Sequence, residues 1–567
     1  MFKSLGKIQY KEDQCLIKIE LSNIKEGINY TDEFIINRTK DDIKIYNRIC
    51  DHAGGKIISR KGESVCPMHN WKFNPITGHY SNGVKKKETS YIKSKKNIEI
   101  IASKFKPIIQ QYSQKKNKTT IRFFNHAFLK VTGDNFSFST DPWAIGPAFN
   151  TGWWLKHTTK KDWVESLNNS NFIYISHNHP DHLHPLTLSK INKDLPIIVP
   201  NFTTDSTGKY IEELGFKNVF RLDFDTQYNL EGTELILCIF KSGDFREDSG
   251  IYFSNGELTS LFGVDSNLLN FGKYPNASLF ANSFAGGASG YPLMFENYKK
   301  NEKIKILNTN RLFMKNNVLN ALKKIKPRYF LPYAGFFQER LKRDLKIKKN
   351  NLKNTIEDYE EFSNKNNIKL IDVEKNDVFT FKGDQLTTSI NINVEKNLDL
   401  KEKLYLDYYK KEFKKIDEKY IKDYFLNSQF KDNLNLYILL TDDNFKLLKI
   451  SYFINFSSKK IIFKKIDNFQ KSMILKKSLT KKLVLKIRIE SFLNTLYNKM
   501  PWEDLLIGFQ CKLLRNPNTY NIDFWYHFTN IYITSKHVRE NSKCNSCTSL
   551  SQFIDNQTYS KVIEKVK

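Results

Sequence analysis

The chain has 567 residues, 40% of them hydrophobic and 14% aromatic, which excludes a disordered chain and, at roughly 150 residues per domain, a single small binding module. Lys plus Arg number 90 against 61 Asp plus Glu, a formal net charge of +29. Such a balance suits an anionic partner, whether nucleic acid, nucleotide, acidic protein or membrane surface, although Lys, Asn and Ile are used heavily throughout and solvated lysines explain much of it.

The seven cysteines are odd in number and sparse, which argues against a disulfide framework. The opening Met-Phe-Lys-Ser-Leu-Gly-Lys lacks the apolar core of a signal peptide, and nowhere do about eighteen apolar residues run together. A cytoplasmic protein without a membrane span is expected.

In chain order, residues 1–105 read as short strands with Gly-rich turns. Leu16 to Leu21 and Ile43 to Tyr46 alternate apolar and polar. A polar, Lys-rich linker is expected over 106–120. Strands and helices then mix. Phe172-Ile173-Tyr174-Ile175 reads as a buried strand and Ile197-Ile198-Val199 as a shorter one, with Lys-rich helical sequence from about 338 to 365. From about 400 the chain reads as a separate α+β domain, with strands over Leu434 to Leu440 and Leu447 to Ile454.

Two constellations carry chemistry. The first is Cys50-Asp51-His52, followed after thirteen residues by Cys66-Pro67-Met68-His69. Four soft or borderline ligands in two close pairs suit zinc or an iron–sulfur cluster. Gly54-Gly55 follows the first pair, and Trp71-Lys72-Phe73-Asn74-Pro75-Ile76-Thr77-Gly78 follows the second. With these surroundings the segment resembles the Rieske [2Fe–2S] domain. The resemblance implies that Cys50 and Cys66 hold one iron and His52 and His69 the other. Neutral imidazoles in place of two thiolates raise the potential to roughly −150 to +300 mV.

The second is His177-Asn178-His179-Pro180-Asp181-His182, directly after the Phe172 to Ile175 strand. This H-x-H-x-D-H run resembles the metallo-β-lactamase fold. There the two first histidines serve one metal, and the Asp and third His serve a second. Hydrolases of that fold add further histidines downstream, but none lies here between His184 and His527. The chain offers Asp244 and Asp248 instead, and Asp265 after an apolar strand, where the bridging Asp of the fold is expected. Asp244 stands roughly where the fold's third histidine would lie. Few histidines and several carboxylates fit redox-active iron at least as well as zinc.

A Rieske cluster delivers single electrons, which an iron site that activates O₂ requires and a zinc hydrolase does not. Further blocks are Asp141-Pro142-Trp143, Gly146-Pro147-Ala148-Phe149, Gly152-Trp153-Trp154, Ala285-Gly286-Gly287-Ala288-Ser289-Gly290, Pro332-Tyr333-Ala334-Gly335, Trp502-Glu503-Asp504-Leu505-Leu506-Ile507-Gly508-Phe509-Gln510 and Phe524-Trp525-Tyr526-His527-Phe528. In this order they resemble the CMP-N-acetylneuraminate hydroxylase family across most of the chain.

That resemblance implies an α+β multidomain protein: a Rieske β domain over 1–105, a metallo-β-lactamase-like αββα sandwich over 121–395 and a C-terminal α+β domain over 400–567. It implies a monooxygenase that converts the N-acetyl group of a CMP-linked sialic acid, or a related nonulosonic acid, to N-glycolyl. The substrates would be a CMP-sugar and O₂, with a cytochrome b5 or a ferredoxin as electron donor and neither nucleic acid nor membrane as partner. The expected metal ligands are His177, His179, Asp181, His182 and Asp265, with Asp244. Trp143 could stack on a base or sugar, or pack in the core. Gly286 and Gly287 could let backbone amides approach a phosphate, or form a tight turn. Cys544 and Cys547 form a C-x-x-C without a second pair. A metallo-β-lactamase-fold hydrolase with an accessory Rieske domain is the alternative.

Overall fold

The computed structural model describes residues 1–530 apart from positions 32, 52–56, 61, 67–70, 82, 112, 203, 244–246, 267, 393–401, 429, 458–459, 467–468, 470–479 and 499. His52, His69, Asp244, Cys544 and Cys547 therefore lie outside the described residues.

At the centre two eight-stranded mixed sheets face each other. One runs in the order Phe2–Lys7, Thr226–Leu230, Leu235–Lys241, Ser249–Asn255, Leu258–Phe262, Leu279–Ser283, Tyr329–Tyr333 and Lys369–Leu370. The other runs Val219–Leu222, Ile197–Pro200, Phe172–Tyr174, Ser137–Thr140, Phe128–Thr132, Lys118–Asn125, Val378–Lys382 and Gln385–Ile390. Near-continuous apolar runs such as Leu-Ile-Leu-Cys-Ile-Phe at 235–240 are buried on both faces, as interior strands of a covered sheet must be. Phe138, Phe172, Phe253 and Phe262 interlock between the sheets. Trp163, Leu167, Leu188 and Ile211, from three short helices, pack with Ile173, Ile197 and Val199 in a second layer. This is the expected αββα sandwich.

The first strand departs from the expected boundary. Phe2–Lys7 pairs antiparallel with Thr226–Leu230, and Phe2 packs edge-on against Phe172 and Phe220. Residues 2–7 are thus an edge of the sandwich, because the unpaired side of the 226–230 strand needs a partner. The Rieske-like β unit follows. Gln9–Glu20 pairs with Asn97–Ile108, Gly27–Tyr30, Phe34–Arg38 and Ile43–Asn47 form a meander, and four short strands from Ile58–Arg60 to His79–Tyr80 build the sheet that carries Cys66.

The C-terminal unit is a five-stranded sheet, ordered Ile462–Lys465, Leu447–Asn455, Leu434–Thr441, Lys481–Arg488 and Cys511–Asn516. Helices Glu418–Leu426, Ile489–Tyr497, Glu503–Ile507 and Ile522–Asn530 accompany it. The 338–365 region, expected to be helical, forms only short helices at Leu345–Asn350 and Glu360–Lys365 with single 3₁₀ turns beside them. The long helix is instead Lys300–Ile325. No described helix is long and apolar enough to cross a membrane.

Candidate metal centre

The site lies where the ends of both sheets meet. Ser249 Oγ donates to the Ser176 carbonyl at 2.7 Å, tying the two sheets together there. His177 and His179 follow the Phe172–Tyr174 strand in a loop rather than on the strand itself. They still converge: His177 Nε2 and His179 Nδ1 are 2.9 Å apart. His182 Nε2 is 3.5 Å from Asp181 Oδ2 and 3.4 Å from Asp265 Oδ2. The site thus brings together all five of its predicted ligands that lie among the described residues.

Sequence reasoning missed His126. It sits in the tight turn between Lys118–Asn125 and Phe128–Thr132, and its Nε2 lies 3.1 Å from Asp181 Oδ2. Two groups of ligand atoms, each mutually within 4.8 Å, result: His126, Asp181 and His182, and His177, His182 and Asp265. The signal for it is Asn125-His126-Ala127, a turn between apolar strands that lies upstream of the H-x-H-x-D-H run.

A layer of supporting groups was also missed. Asp141 Oδ1 accepts from the Ser176 amide at 2.7 Å, and Oδ2 accepts from Ser176 Oγ at 2.8 Å. The same Oδ2 is 3.1 Å from His182 Nδ1. Ser176 Oγ is also 2.9 Å from His177 Nδ1, and Asp248 Oδ1 is 3.5 Å from that nitrogen. Each ring is therefore addressed from behind by an oxygen while its other nitrogen faces the cluster, the usual way a metal-binding imidazole is fixed. His184 plays another part. Its Nδ1 accepts from the Thr187 amide at 3.2 Å and caps helix Pro185–Leu188, with Nε2 3.1 Å from the Pro147 carbonyl. Burial pushes its pKa down to about 4, against the Pro147 carbonyl and Asp181, so the ring is neutral.

The electrostatics fit a cation. Burial opposes the charged form of His182, but Asp181, Asp265 and Asp141 outweigh it and hold the imidazole well above its ordinary pKa. Burial likewise opposes ionised Asp181, yet His182 and His126 hold that carboxyl well below its usual range. Despite these attractions, His126 Nδ1, Asp181 Oδ1, His182 Nε2 and Asp265 Oδ1 are buried without a hydrogen-bond partner. Buried polar atoms left so are expensive, and a metal ion is the partner that satisfies imidazoles and carboxylates at once.

The remaining predicted residues are placed as follows. Trp143 is fully buried, donates Nε1–H to the Gly146 carbonyl at 3.0 Å, and lies edge-on to His126 with centroids 5.3 Å apart. Gly286 and Gly287 both have positive φ, at 68° and 71°, and the Gly287 carbonyl accepts from Asn351 Nδ2 at 2.9 Å. In the Rieske-like unit Cys50 and Cys66 are fully buried in one cluster with Ile57, Trp71 and Tyr80. Next to Cys50, the Asp51 amide donates to Tyr80 Oη at 3.1 Å and its carboxylate meets buried Lys86 at 2.8 Å. Two buried thiols among apolar side chains suit the thiolate side of an iron–sulfur cluster.

The Rieske [2Fe-2S] domain family matches residues 19–96, so the N-terminal unit is a Rieske domain with a [2Fe–2S] cluster as its cofactor. Over almost the whole chain there is likeness to cytidine monophosphate-N-acetylneuraminic acid hydroxylases. The chain is 27% identical to that of Macaca mulatta, covering 91% of this chain and 92% of the relative. It is 28% identical to that of Pongo pygmaeus, covering 91% and 93%, and 27% identical to that of Mus musculus, covering 90% and 94%. Among solved structures, a metallo hydrolase from Ignicoccus hospitalis KIN4/I aligns with 47% of this chain and 98% of its own at 13% identity and a TM-score of 0.33.

Proposed function

We propose that this chain, a relative of the cytidine monophosphate-N-acetylneuraminic acid hydroxylases, is a Rieske-dependent monooxygenase that hydroxylates the N-acetyl methyl group of a CMP-linked sialic acid or related nonulosonic acid. The observation that carries this reading is the pairing, in one chain, of a Rieske domain with a buried centre of four histidines and several carboxylates. A methyl C–H bond of an amide is not acidic, so acid–base chemistry does not put oxygen there. The balance is one methyl C–H, one O₂, two electrons and two protons giving one C–OH and one water.

Cys50, His52, Cys66 and His69 would hold the cluster. His177, His179, Asp181, His182, Asp265 and His126 would hold iron, with Asp244 as a further ligand. When bound, these groups supply one-electron transfer and O₂ reduction. The protein's own part is to position and to shield. Asp141 and Ser176 orient His182 and His177, and full burial of Trp143, Tyr174 and Tyr333 keeps water from the back of the site. Binding energy from the CMP part would hold the methyl group in place. The donor would be an acidic cytochrome b5 or ferredoxin, in the cytoplasm.

The test is incubation of the reduced holoenzyme with CMP-N-acetylneuraminate, a redox partner and ¹⁸O₂. One labelled oxygen in the N-glycolyl product is expected. Product oxygen from water, or turnover that needs neither O₂ nor reductant, would move the assignment to a metallo-β-lactamase-fold hydrolase. Full activity with zinc in place of iron would overturn the choice of metal.

A further inference from the structure

The C-terminal unit reaches the metal centre. Glu503 opens helix Glu503–Ile507, and its Oε2 lies 3.7 Å from Nε2 of His179. The other oxygen of the carboxylate, Oε1, accepts from the Tyr520 hydroxyl at 3.0 Å. The Glu503 amide donates to Thr529 Oγ1 at 3.3 Å, and Asn178 Nδ2, from the ligand loop itself, donates to the Thr529 carbonyl at 3.3 Å. His179 presents Nδ1 to His177 Nε2, so its Nε2 is the nitrogen left for Glu503.

The approach of the two units is tight at backbone level. A Cβ on Gly152 would sit 2.1 Å from the Gly508 carbonyl oxygen, and a Cβ on Gly508 would sit 2.3 Å from that of Phe149. Trp153 Nε1 donates to the Ile507 carbonyl at 3.2 Å, and Asn494 donates to Asn150. The Phe149 ring lies 5.8 Å from that of His179. Glu503 is therefore held by a docked surface and not by a loose side chain.

We propose that Glu503 is a positioning residue of the metal centre: its carboxylate faces the Nε2 edge of His179, favours the tautomer with the proton on that nitrogen, and so leaves Nδ1 toward the position shared with His177 Nε2. This rests on the reading that His177 and His179 bind metal. It gives the C-terminal unit a role in the centre that Asp141 and Ser176 play from within the sandwich. A carboxylate behind a metal-binding imidazole fixes its tautomer and raises its basicity, and removing one lowers metal affinity about 10- to 100-fold.

The experiment uses the full chain with its Rieske cluster intact and the second site stripped of metal, titrated with Co²⁺ and read by its visible d–d bands. Glu503→Gln is expected to weaken Co²⁺ binding about 10- to 100-fold, with the Rieske spectrum and melting temperature unchanged. Tyr520→Phe, which removes the hydroxyl that donates to Glu503 Oε1, should weaken it less and in the same direction. Glu503→Asp should recover part of the loss. Binding within twofold of wild type in Glu503→Gln, alongside a clear loss in His179→Ala, would overturn the proposal and leave the metal reading standing. An equal loss in Asp504→Asn would also overturn it, by reducing the effect to a general disturbance of helix Glu503–Ile507. No Co²⁺ bound by wild type, and no change in His179→Ala, would overturn the metal reading on which it rests.

Discussion

His126 holds a backbone conformation that L-residues rarely adopt, with φ at 42°, and so do Asp141 at 40°, Val264 at 51° and Ala334 at 52°. All four lie at strand ends around the metal centre, and the Ala334 amide donates to the His126 carbonyl at 2.9 Å. A left-handed non-glycine residue costs roughly 1–2 kcal/mol, so the strain is stored where ligands are aimed. His126→Gln should relieve none of this strain while removing a ligand nitrogen. Metal affinity at the second site is expected to fall at least about 10-fold, and the Rieske paramagnetic resonance signal should persist. An unchanged metal content after dialysis would show that His126 only pairs with Asp181.

Asp504 is a different kind of residue. It is fully buried with both carboxylate oxygens unpartnered. Burial, then Asp181 and Glu503, push its pKa well above the usual range. Asn matches Asp in shape, so Asp504→Asn keeps the packing of helix Glu503–Ile507 and serves as the control beside Glu503.

At the scale of elements, a buried polar network joins the sandwich to the C-terminal sheet. Arg488 meets Asp344 at 2.8 Å with both side chains almost wholly buried. Gln510 Oε1 accepts from Arg488 at 3.2 Å and from Ser491 at 3.1 Å. Asp344→Ala would leave a buried guanidinium without its charge partner and is expected to destabilise the protein by about 3–5 kcal/mol, read from chemical denaturation. The half-buried Asp443, in the turn after Leu434–Thr441, pairs with Arg343 and lies 3.2 Å from Lys410.

Burial acts to raise the Asp443 pKa, but Arg343 and Lys410 outweigh it and hold the carboxyl below its ordinary value. A depressed carboxylate contributes stability that is present above the unfolded pKa of about 3.9 and is lost as pH falls through the folded value. Asp443→Asn should thus lower stability at neutral pH by at most about 1 kcal/mol, given solvent screening. The difference from wild type should shrink below about pH 4. A pH-independent difference would mean that the pair acts through shape alone. Gly508→Ala tests the same interface by sterics. Its Cβ would lie 2.3 Å from a carbonyl oxygen that cannot move independently, so a loss of about 1–3 kcal/mol is expected.

At the scale of the whole molecule the three units are interlocked. Helix Lys300–Ile325 spans about 39 Å at 1.5 Å per residue. Its Ile306 packs in the core shared by the Rieske domain and the C-terminal unit, and Val318, Ala321, Leu322 and Ile325 pack in the sandwich core. That shared core contains Cys50, Cys66 and Trp71 together with Phe295, Trp502 and Phe524. The C-terminal unit thus touches both the cluster-bearing domain and, through Glu503, the metal centre. The net charge of +29 should steer an acidic electron donor over long range. With a Debye length of about 8 Å at physiological ionic strength, the bimolecular rate of reduction should fall steeply with added salt. A flat salt dependence would leave the lysines as solvated surface only.

The sequence by itself determined the local chemistry. The H-x-H-x-D-H run and strands such as Phe172–Tyr174 and Leu434–Thr441 were legible because residue spacing and apolar alternation are properties of neighbouring residues. Only the tertiary structure decided what distant segments contribute. His126 lies 55 residues before Asp181 and Glu503 far beyond it, and neither carries a local pattern that separates a ligand or its support from any other polar residue in a turn. The strand Phe2–Lys7 joins a sheet whose next strand is Thr226–Leu230, a pairing set by which edge remains open after the sandwich closes. Helix Lys300–Ile325 was not legible for the same reason: its apolar residues serve two cores in succession, so no single face repeats along its length, and its role emerged only where those cores were assembled.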